Sequence, residues 1–370
     1  MGLRLDPVSR AIEEIAAGKM VIVVDDEDRE NEGDLIMAAE LATPEATALM
    51  IRHTSGILCA PLEASEARRL GLSAMVSEND APLSTAFTVS VDYRHGLTTG
   101  ISAEERCATV RALANPNAAR EDFVRPGHVF PLVAKEGGVL IRTGHTEAAV
   151  DLARLAALKP VGLIGELMND DGSVMRGDAL QDFAEEHGLA LVSIDDLIAY
   201  RQSRETLIQR VSEQPVQTFV GPAKAVVYSS AYDDAQHVAL VFGDPADRPD
   251  ALARLHPEMV LEDVFGGEDT QSHRALRRIA EEGSGVFVYL RQGAAGVVPL
   301  ARPSVEEVAT SSGEGEASSA RRREAWRDIG LGAQIMRDLG LSKIRVLSTT
   351  DRFYKGTSGF GVEVVGTELL

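Results

Sequence analysis

The stretch that decides the fold of the first half is MVIVVDDEDRENEGDLIMA, residues 20–38. Its two ends, 20–24 and 35–38, are short apolar runs, which are typical of buried strands. Between them, residues 25–34 hold seven carboxylates and one arginine. Most acidic runs are solvated loops, but carboxylates held between two core strands repel one another unless a cation lies among them. Oxygen ligands of this kind favour Mg²⁺, Ca²⁺ or Mn²⁺.

A calcium-binding loop of the EF-hand type does not fit this run. Its register can be tried with Asp28, Glu30 and Glu32 at positions one, three and five and Gly33 at position six. Position twelve is then Ala39, where a bidentate glutamate is required. The sequence therefore favours magnesium.

Strands and helices alternate on both sides of this stretch. Strands are predicted at 57–62, 87–91, 129–133, 139–141 and 161–164, and amphipathic helices at 44–53, 102–113 and 147–158. Asp6 and Pro7 predict the cap and first residue of an opening helix, and Ser102 with Glu105 predicts a capping box. We expect a layered α/β domain with a largely buried sheet.

The chain has 370 residues, more than a single hydrophobic core usually spans, so two domains are expected. A helix beginning near Asp195 is followed by a new series of strands from 216–220, which puts the boundary near residue 208. Domains 1–208 and 209–370 result, and the second is also α/β. It has predicted strands at 225–228, 237–241 and 286–290 and helices at 273–282 and 334–339. The small, polar stretch 310–319 predicts a mobile loop.

Charge and cysteine content exclude several classes of protein. The chain has 37 Lys and Arg against 57 Asp and Glu, a formal net charge of −20, which argues against nucleic acid as a partner. Two cysteines, Cys59 and Cys107, are too few for a disulfide scaffold. There is neither a signal-peptide core nor an apolar run of about 18 residues, so no membrane partner is expected. We expect a cytoplasmic protein.

Several residues have the chemistry of a phosphate or proton-transfer site. Residues 144–147, Gly-His-Thr-Glu, follow a strand and open a helix, an arrangement that suits a phosphate, and Arg142 lies just before them. His128 follows a Pro-Gly turn, and Glu166 ends a predicted strand where a carboxylate could act as a base. Cys59 is expected to be a core residue.

Six segments in the same order resemble 3,4-dihydroxy-2-butanone 4-phosphate synthase of riboflavin biosynthesis, over roughly residues 5–205. They are 20–38, 53–59, 99–103, 125–132, 144–151 and 165–172. Six ordered motifs are far more specific than one short pattern. One departure is Glu105, where the family usually has aspartate, but the carboxylate is retained.

The resemblance implies a Mg²⁺-dependent (or Mn²⁺-dependent) conversion of D-ribulose 5-phosphate to L-3,4-dihydroxy-2-butanone 4-phosphate and formate. Glu30 and His145 match the family's metal ligands, and His128 and Glu166 match positions that the family cannot do without. Cys59 matches a cysteine near its active site. The substrate-binding positions are matched by Arg29, Glu30, Asp34, Arg142, Thr143, Gly144, His145, Thr146 and Glu166. The implied fold is a three-layer α/β sandwich with a mixed sheet, usually a homodimer with active sites at the subunit interface.

The second half resembles GTP cyclohydrolase II over 256–258, 263–266, 274–291 and 331–347. The family's three zinc-binding cysteines fall on Met259, Thr270 and Ser272, which cannot supply a catalytic zinc site. Its Arg-Gln-Glu-Gly-Arg-Gly stands here as residues 291–296, RQGAAG, and Ala325 replaces the acidic partner of the arginine matched by Arg327. We expect a cyclohydrolase II-like domain without that activity and without zinc.

Two alternatives remain open for the second half. It could be a second enzyme, which hydrolyses GTP with metal ligands such as His237, His256 and His273. It could instead be a binding module that senses a nucleotide or docks a pathway partner, which is compatible with an inactive domain.

Overall fold

The computed structural model describes residues 3–25, 30–230, 235–291, 328–349 and 361–370. The chain divides into two compact units, Met1–Tyr200 and Arg201–Leu370. Arg29, the expected loop at 310–319, and Ala325 with Arg327 lie outside the described residues. Within the described ranges, no helix has the length and apolar character needed to span a membrane.

The first unit is built around a seven-stranded mixed sheet with the order β4-β5-β3-β6-β2-β1-β7. The β1/β7 and β3/β5 pairs are parallel, and the other pairs are antiparallel. The strands are β1 Val21–Val24, β2 Gly33–Ala38, β3 Cys59–Glu63, β4 Val91–Tyr93, β5 Phe123–Ala134, β6 Gly162–Glu166 and β7 Ala190–Ser193. The helices are α1 Val8–Ala16, α2 Pro44–His53, α3 Ala64–Arg69, α4 Ala103–Leu113, α5 His145–Leu155, α6 Asp178–His187 and α7 Ile194–Arg204.

Helices cover both faces of this sheet. Alternate residues of β1 enter two different core clusters: Ile22 packs in one and Val21 and Val23 in the other. The first cluster includes residues of α2, α4 and α6, and the second includes residues of α1 and α5. Because both faces are buried, β1 is apolar along its whole length. The predicted three-layer α/β architecture with a mixed sheet is confirmed.

Local signals in the first unit were partly right. The helix predicted at 44–53 coincides with α2, and Ser102 caps α4 in the predicted capping box with Glu105. The strand predicted at 139–141 is wrong, since Gly138–Leu140 form a 3₁₀ turn. Gly137 and Gly138 have φ of 91° and 64°, a left-handed backbone that turns the chain out of extended geometry.

The predicted cap of the opening helix is also wrong. Pro7 is the N-cap of α1, and no side chain caps this end. The Asp6 carboxylate instead accepts hydrogen bonds from Arg10 Nη1 at 2.7 Å and from the Leu191 N–H at 3.1 Å. Asp6 therefore ties the start of the chain to β7 rather than capping a helix.

The described residues of the second unit form another mixed sheet of seven strands, with the order β14-β13-β11-β12-β10-β9-β8. Its strands β8 to β10 and β12 are antiparallel neighbours, whereas β11 to β14 pair in parallel. The strands are β8 Ile208–Thr218, β9 Gly221–Ser230, β10 Gln236–Phe242, β11 Ala251–Pro257, β12 Gly285–Leu290, β13 Lys343–Ser348 and β14 Glu363–Leu369. Helices are α8 Val260–Phe265, α9 Gln271–Glu282 and residues 328–338.

Candidate functional site

The acidic stretch connects the neighbouring strands β1 and β2. Asp25 organises its described part: Oδ2 accepts the N–H of Glu30 at 3.0 Å, and Oδ1 accepts the N–H of Glu32 at 2.9 Å. The antiparallel register aligns Val24 with Gly33 and places Asp34 in β2. A carboxylate just after a buried strand thus fixes the backbone of Glu30 and Glu32 where the chain enters β2.

His145, the first residue of α5, is buried beside these carboxylates. Its Nε2 donates to the Val23 carbonyl at 3.1 Å, which leaves Nδ1 facing the carboxylates. Nδ1 lies 3.6 Å from Glu30 Oε2 and 3.7 Å from Asp34 Oδ1. Both distances are too long for good hydrogen bonds. Both carboxylates thus lie near the same nitrogen of His145.

The charge of Asp34 is compensated only in part. Its side chain is 3% exposed, and Oδ1 has no hydrogen-bond partner among the described residues. Burial raises its pKa to about 7, with Glu166 and Glu30 adding to the shift and His145 opposing it. Burial alone would lower the pKa of His145, but Asp34 and Glu30 raise it to about 9. The cluster is a favourable place for a cation.

Glu166 ends β6 directly opposite Asp34 in the antiparallel register. Its Oε2 accepts the Ser55 hydroxyl at 2.6 Å, which fixes the carboxylate at the edge of the acidic cluster. Cys59 lies beside it in β3 and is 3% exposed. Burial, with Glu166 and Asp34, raises the pKa of its thiol well above the usual range, so it is a neutral core residue.

The predicted phosphate segment forms the first turn of α5. Gly144 is the N-cap, and Thr146 is buried in the first turn beside His145, with Thr143 just before the cap. Arg142 Nη1 donates to Glu147 Oε2 at 2.7 Å and Nη2 donates to the Leu83 carbonyl at 3.1 Å. Glu147, which the sequence did not single out for this role, therefore fixes the guanidinium at the start of the helix.

His128 belongs to a second histidine–carboxylate pair. It lies in β5, and its Nδ1 is 2.7 Å from Asp92 Oδ2 in β4. Sequence reasoning missed Asp92. The available signal was a carboxylate that directly follows the apolar Val91 in a predicted strand.

Met259, Thr270 and Ser272, which match the zinc-binding cysteines, each form a hydrogen bond within the second unit. Thr270 is the N-cap of α9, accepting the His273 N–H at 3.2 Å, and its Oγ1 lies 2.9 Å from Ser272 Oγ. The Met259 N–H donates to Asp263 Oδ2 at 2.9 Å.

Asp263 also accepts His256 Nε2–H at 2.8 Å and the Tyr289 hydroxyl at 3.0 Å. Burial alone would raise the pKa of this carboxyl, but the hydrogen bonds from His256 and Met259 outweigh it and hold the pKa at about 2. His256 itself is fully buried and stacks on Phe287 and Tyr289.

No group of three or more His, Cys, Asp or Glu side chains in the described ranges forms a set that could hold a metal ion unaided. This finding covers His237, His256 and His273, which are all described. The second unit does contain a cavity of about 290 Å³. It is lined by Gln202, Ser203, Arg204, Glu205, Thr206, Ile208, Arg210, Gln334, Arg337 and Asp338, and none of the predicted site residues is among them.

Two family models match the chain. The model for 3,4-dihydroxy-2-butanone 4-phosphate synthase matches residues 9–200, and the model for GTP cyclohydrolase II matches residues 209–368. Among curated relatives, the riboflavin biosynthesis protein RibBA of Rhodococcus erythropolis is 48% identical over 98% of this chain and 88% of that protein. RibBA of Mycobacterium tuberculosis is 47% identical over the same shares.

Solved structures give the same picture. RibBX from A. baumannii, described as a two-domain 3,4-dihydroxy-2-butanone 4-phosphate synthase, matches with a TM-score of 0.81 and 37% identity. The match covers 98% of this chain and 99% of that one. A 3,4-dihydroxy-2-butanone 4-phosphate synthase in complex with two magnesium ions matches with a TM-score of 0.53 and 45% identity, over 54% of this chain and 98% of that one.

Proposed function

Because this chain belongs to the 3,4-dihydroxy-2-butanone 4-phosphate synthase family, we propose that Glu30 and His145 bind the divalent metal ion of the synthase reaction. The chain converts D-ribulose 5-phosphate to L-3,4-dihydroxy-2-butanone 4-phosphate and formate. The observation that carries the metal assignment is the gap between Glu30, His145 and Asp34. Two potential ligands stand 3.6 Å apart there, beside Asp34 Oδ1, which is 3.7 Å from His145 Nδ1 and has no hydrogen-bond partner among the described residues.

This donor set suits Mg²⁺ or Mn²⁺. Mg²⁺ is usually held by one or two protein ligands, with water and substrate oxygens completing the octahedron. A site with only two close protein ligands is consistent with the absence of a larger ligand cluster in the described ranges. When bound, the ion supplies Lewis-acid polarisation of the substrate's carbonyl and hydroxyl oxygens. Val23 would orient the imidazole through Nε2, as outer partners of metal-bound histidines do.

The substrate phosphate is assigned to the first turn of α5. The backbone N–H groups of His145 and Thr146 and the Thr146 hydroxyl belong to the first turn, at the positive end of an 11-residue helix. Arg142 is already oriented by Glu147, so little side-chain entropy is lost when it binds an anion. Arg29 is kept as a substrate-binding position from the resemblance alone.

Glu166 and His128 are proposed to carry protons between substrate atoms. Glu166 is held by Ser55 at the edge of the acidic cluster, and a carboxylate there can take or return a proton in successive steps. His128 is proposed as the second carrier, with 39% of its side chain exposed to accept substrate. Asp34 is assigned to the substrate's hydroxyl groups through its unpartnered oxygen.

Glu30→Gln tests the metal assignment. The change keeps the shape of the side chain and removes its anionic charge, so formate release from ribulose 5-phosphate at saturating Mg²⁺ should fall below about a tenth of the wild-type rate. The matched control is Glu185→Gln in α6, whose carboxylate is 59% exposed and 4.0 Å from Arg4. Its rate should equal wild type. A Glu30→Gln rate as high as that of the control would mean that the acidic run is only a solvated surface.

We further propose that the second unit has no cyclohydrolase activity and needs no zinc. The support is chemical: Thr270 and Ser272 hydrogen-bond to each other, and Met259 offers only a thioether. The likeness to RibBX, which is described as a two-domain synthase, agrees with this assignment. Domain limits of 1–208 and 209–370, a homodimer and a cytoplasmic location complete the proposal. The two free, buried cysteines are compatible with that location.

A further inference from the structure

Both oxygens of a buried carboxylate, Asp92, form hydrogen bonds with His128. The side chain of Asp92 is 4% exposed. Its Oδ1 accepts the backbone N–H of His128 at 2.8 Å, and its Oδ2 lies 2.7 Å from His128 Nδ1. Two contacts from one residue to both carboxylate oxygens fix the strand position of His128 and the plane of its ring together.

The surrounding backbone is shaped to this contact. Gly100 has φ of 88°, and a Cβ at this residue would overlap Asp92 Oδ2 and approach His128 Nδ1 within 2.7 Å. Gly127, just before the histidine, lies so close to the backbone of Val91 and Asp92 that no side chain fits. Glycine at both positions permits the close approach of the pair.

A buried arginine connects this pair to the other proposed proton carrier. Arg106 is 5% exposed and interacts electrostatically with Asp92. Its Nη1 donates to the Gly56 carbonyl at 3.1 Å, and the preceding residue, Ser55, donates to Glu166.

We propose that Asp92 is a positioning residue that acts through His128. Since Oδ2 accepts from Nδ1, the neutral ring carries its proton on Nδ1 and presents the lone pair of Nε2. Nε2 has no partner in the described part of the chain. When Nε2 takes a proton from the substrate, the ring becomes an imidazolium whose Nδ1–H remains on Asp92, and the carboxylate stabilises the charge. This inference rests on the proposed role of His128 as a proton carrier.

Asp92→Asn provides the first test. The amide keeps the shape but turns one acceptor into a donor, which forces the proton of a neutral ring onto Nε2. We expect kcat for formate release to fall about 10- to 100-fold, with KM for ribulose 5-phosphate changed less than about threefold. The matched control is Asp122→Asn, because Asp122 Oδ1 also bonds a histidine, His95 Nε2 at 2.8 Å, at a more exposed place. Its kcat should equal wild type.

A double-mutant cycle with His128→Ala separates positioning from a structural role. If Asp92 acts through His128, adding Asp92→Asn to His128→Ala should lower kcat by less than about twofold more. A double variant that multiplies the two single losses would overturn the proposal, and so would wild-type kcat in Asp92→Asn.

Wild-type kcat in His128→Ala would instead refute the proposed proton carrier and the positioning role with it. If Asp92→Asn cannot be assayed in folded form, the smaller Asp92→Ser keeps one acceptor and serves in the same cycle. The same two outcomes, additive losses or no loss, then overturn the proposal.

Discussion

Two buried histidines lie beside carboxylates in the two units of this chain, and their geometries differ. In the first unit, His145 Nδ1 is 3.6 and 3.7 Å from Glu30 and Asp34, and Asp34 Oδ1 has no hydrogen-bond partner in the described part of the chain. In the second, His256 Nε2 contacts Asp263 at 2.8 Å, and both oxygens of Asp263 accept hydrogen bonds. The pKa of Asp34 is raised to about 7, whereas that of Asp263 is lowered to about 2.

The difference separates a binding site from a structural contact. Carboxylates held near one another without compensation cost free energy in the fold, and a cation recovers that cost. A carboxylate whose acceptors are all used is already stabilised and has little to offer a metal. The opposite directions of the two pKa shifts agree with the metal site proposed for the first unit and with the hydrogen-bonded packing of Asp263 in the second.

Removal of metal should give the largest difference between the two units. Treatment with a chelator should reduce formate release from ribulose 5-phosphate by about 1,000-fold or more, and added Mg²⁺ should restore it. Thermal unfolding of the second unit should not change, because its Asp263 contacts involve protein groups alone. A formate assay with and without chelator measures the loss of activity. Calorimetry under the same two conditions measures thermal unfolding. A chelator-sensitive transition in the second unit would show that it holds a metal.

The same substitution at the two carboxylates should have opposite effects on stability. Asp34→Asn removes a buried charge that His145 compensates only in part, so the metal-free protein should keep its free energy of unfolding or gain up to about 1 kcal/mol. Formate release should fall by about 100-fold or more, since the substrate's hydroxyl groups lose a negatively charged acceptor. Denaturant unfolding in chelator and a formate assay in Mg²⁺ give the two values. A variant that is clearly less stable than wild type without metal would contradict the assignment.

Asp263→Asn should lower stability instead. It leaves buried donors of His256, Tyr289 and Met259 with a poorer partner, at a cost of about 2–3 kcal/mol in the free energy of unfolding. Asp269→Asn is the matched control, because Asp269 is 78% exposed and its ion pairs with Arg274 and Arg277 are 3.4 and 3.9 Å long. It should cost less than about 0.5 kcal/mol. If the two substitutions lowered the free energy of unfolding equally, the structural role given to Asp263 would be wrong.

The smallest effect on formate release is expected from removing residues 209–370. A chain of residues 1–208 should fold and keep formate release within about threefold of the full chain, since every proposed site residue lies before residue 167. Leu207 and Gln202 lose their hydrogen bonds to Gln334, which affects only the new C-terminus. A soluble, folded and inactive product would mean that the second unit completes or orders the site.

The sequence predicted the layers of the fold well because burial on both faces leaves a continuous apolar run. It failed where backbone conformation overrides that pattern, as at Gly137 and Gly138, which turn an apolar run into a 3₁₀ helix. Glu30, His145 and Glu166 could be selected from the sequence with the family resemblance. Their partners could not: Asp92 meets His128 across 36 residues and Val23 meets His145 across 122. Such pairs depend on sheet register and helix placement.

In the second unit, too, the sequence did not predict contacts between residues that are distant in the chain. The sequence indicated that three thiolates are missing, at Met259, Thr270 and Ser272. It did not indicate that Asp263 joins His256, Tyr289 and the backbone of Met259 into one hydrogen-bonded cluster. The sequence alone shows that a cysteine is absent from a position. The contacts of Asp263 are known only once β11, β12 and α8 are placed together.

The central claim is that one unit performs the chemistry and the other does not. Formate release by the full chain, measured in parallel from ribulose 5-phosphate with Mg²⁺ and from GTP with added Zn²⁺, tests it most directly. We expect Mg²⁺-dependent formate from ribulose 5-phosphate and none from GTP at any zinc concentration. GTP-dependent formate that co-purifies with the protein and disappears in a His256→Ala variant would contradict the claim.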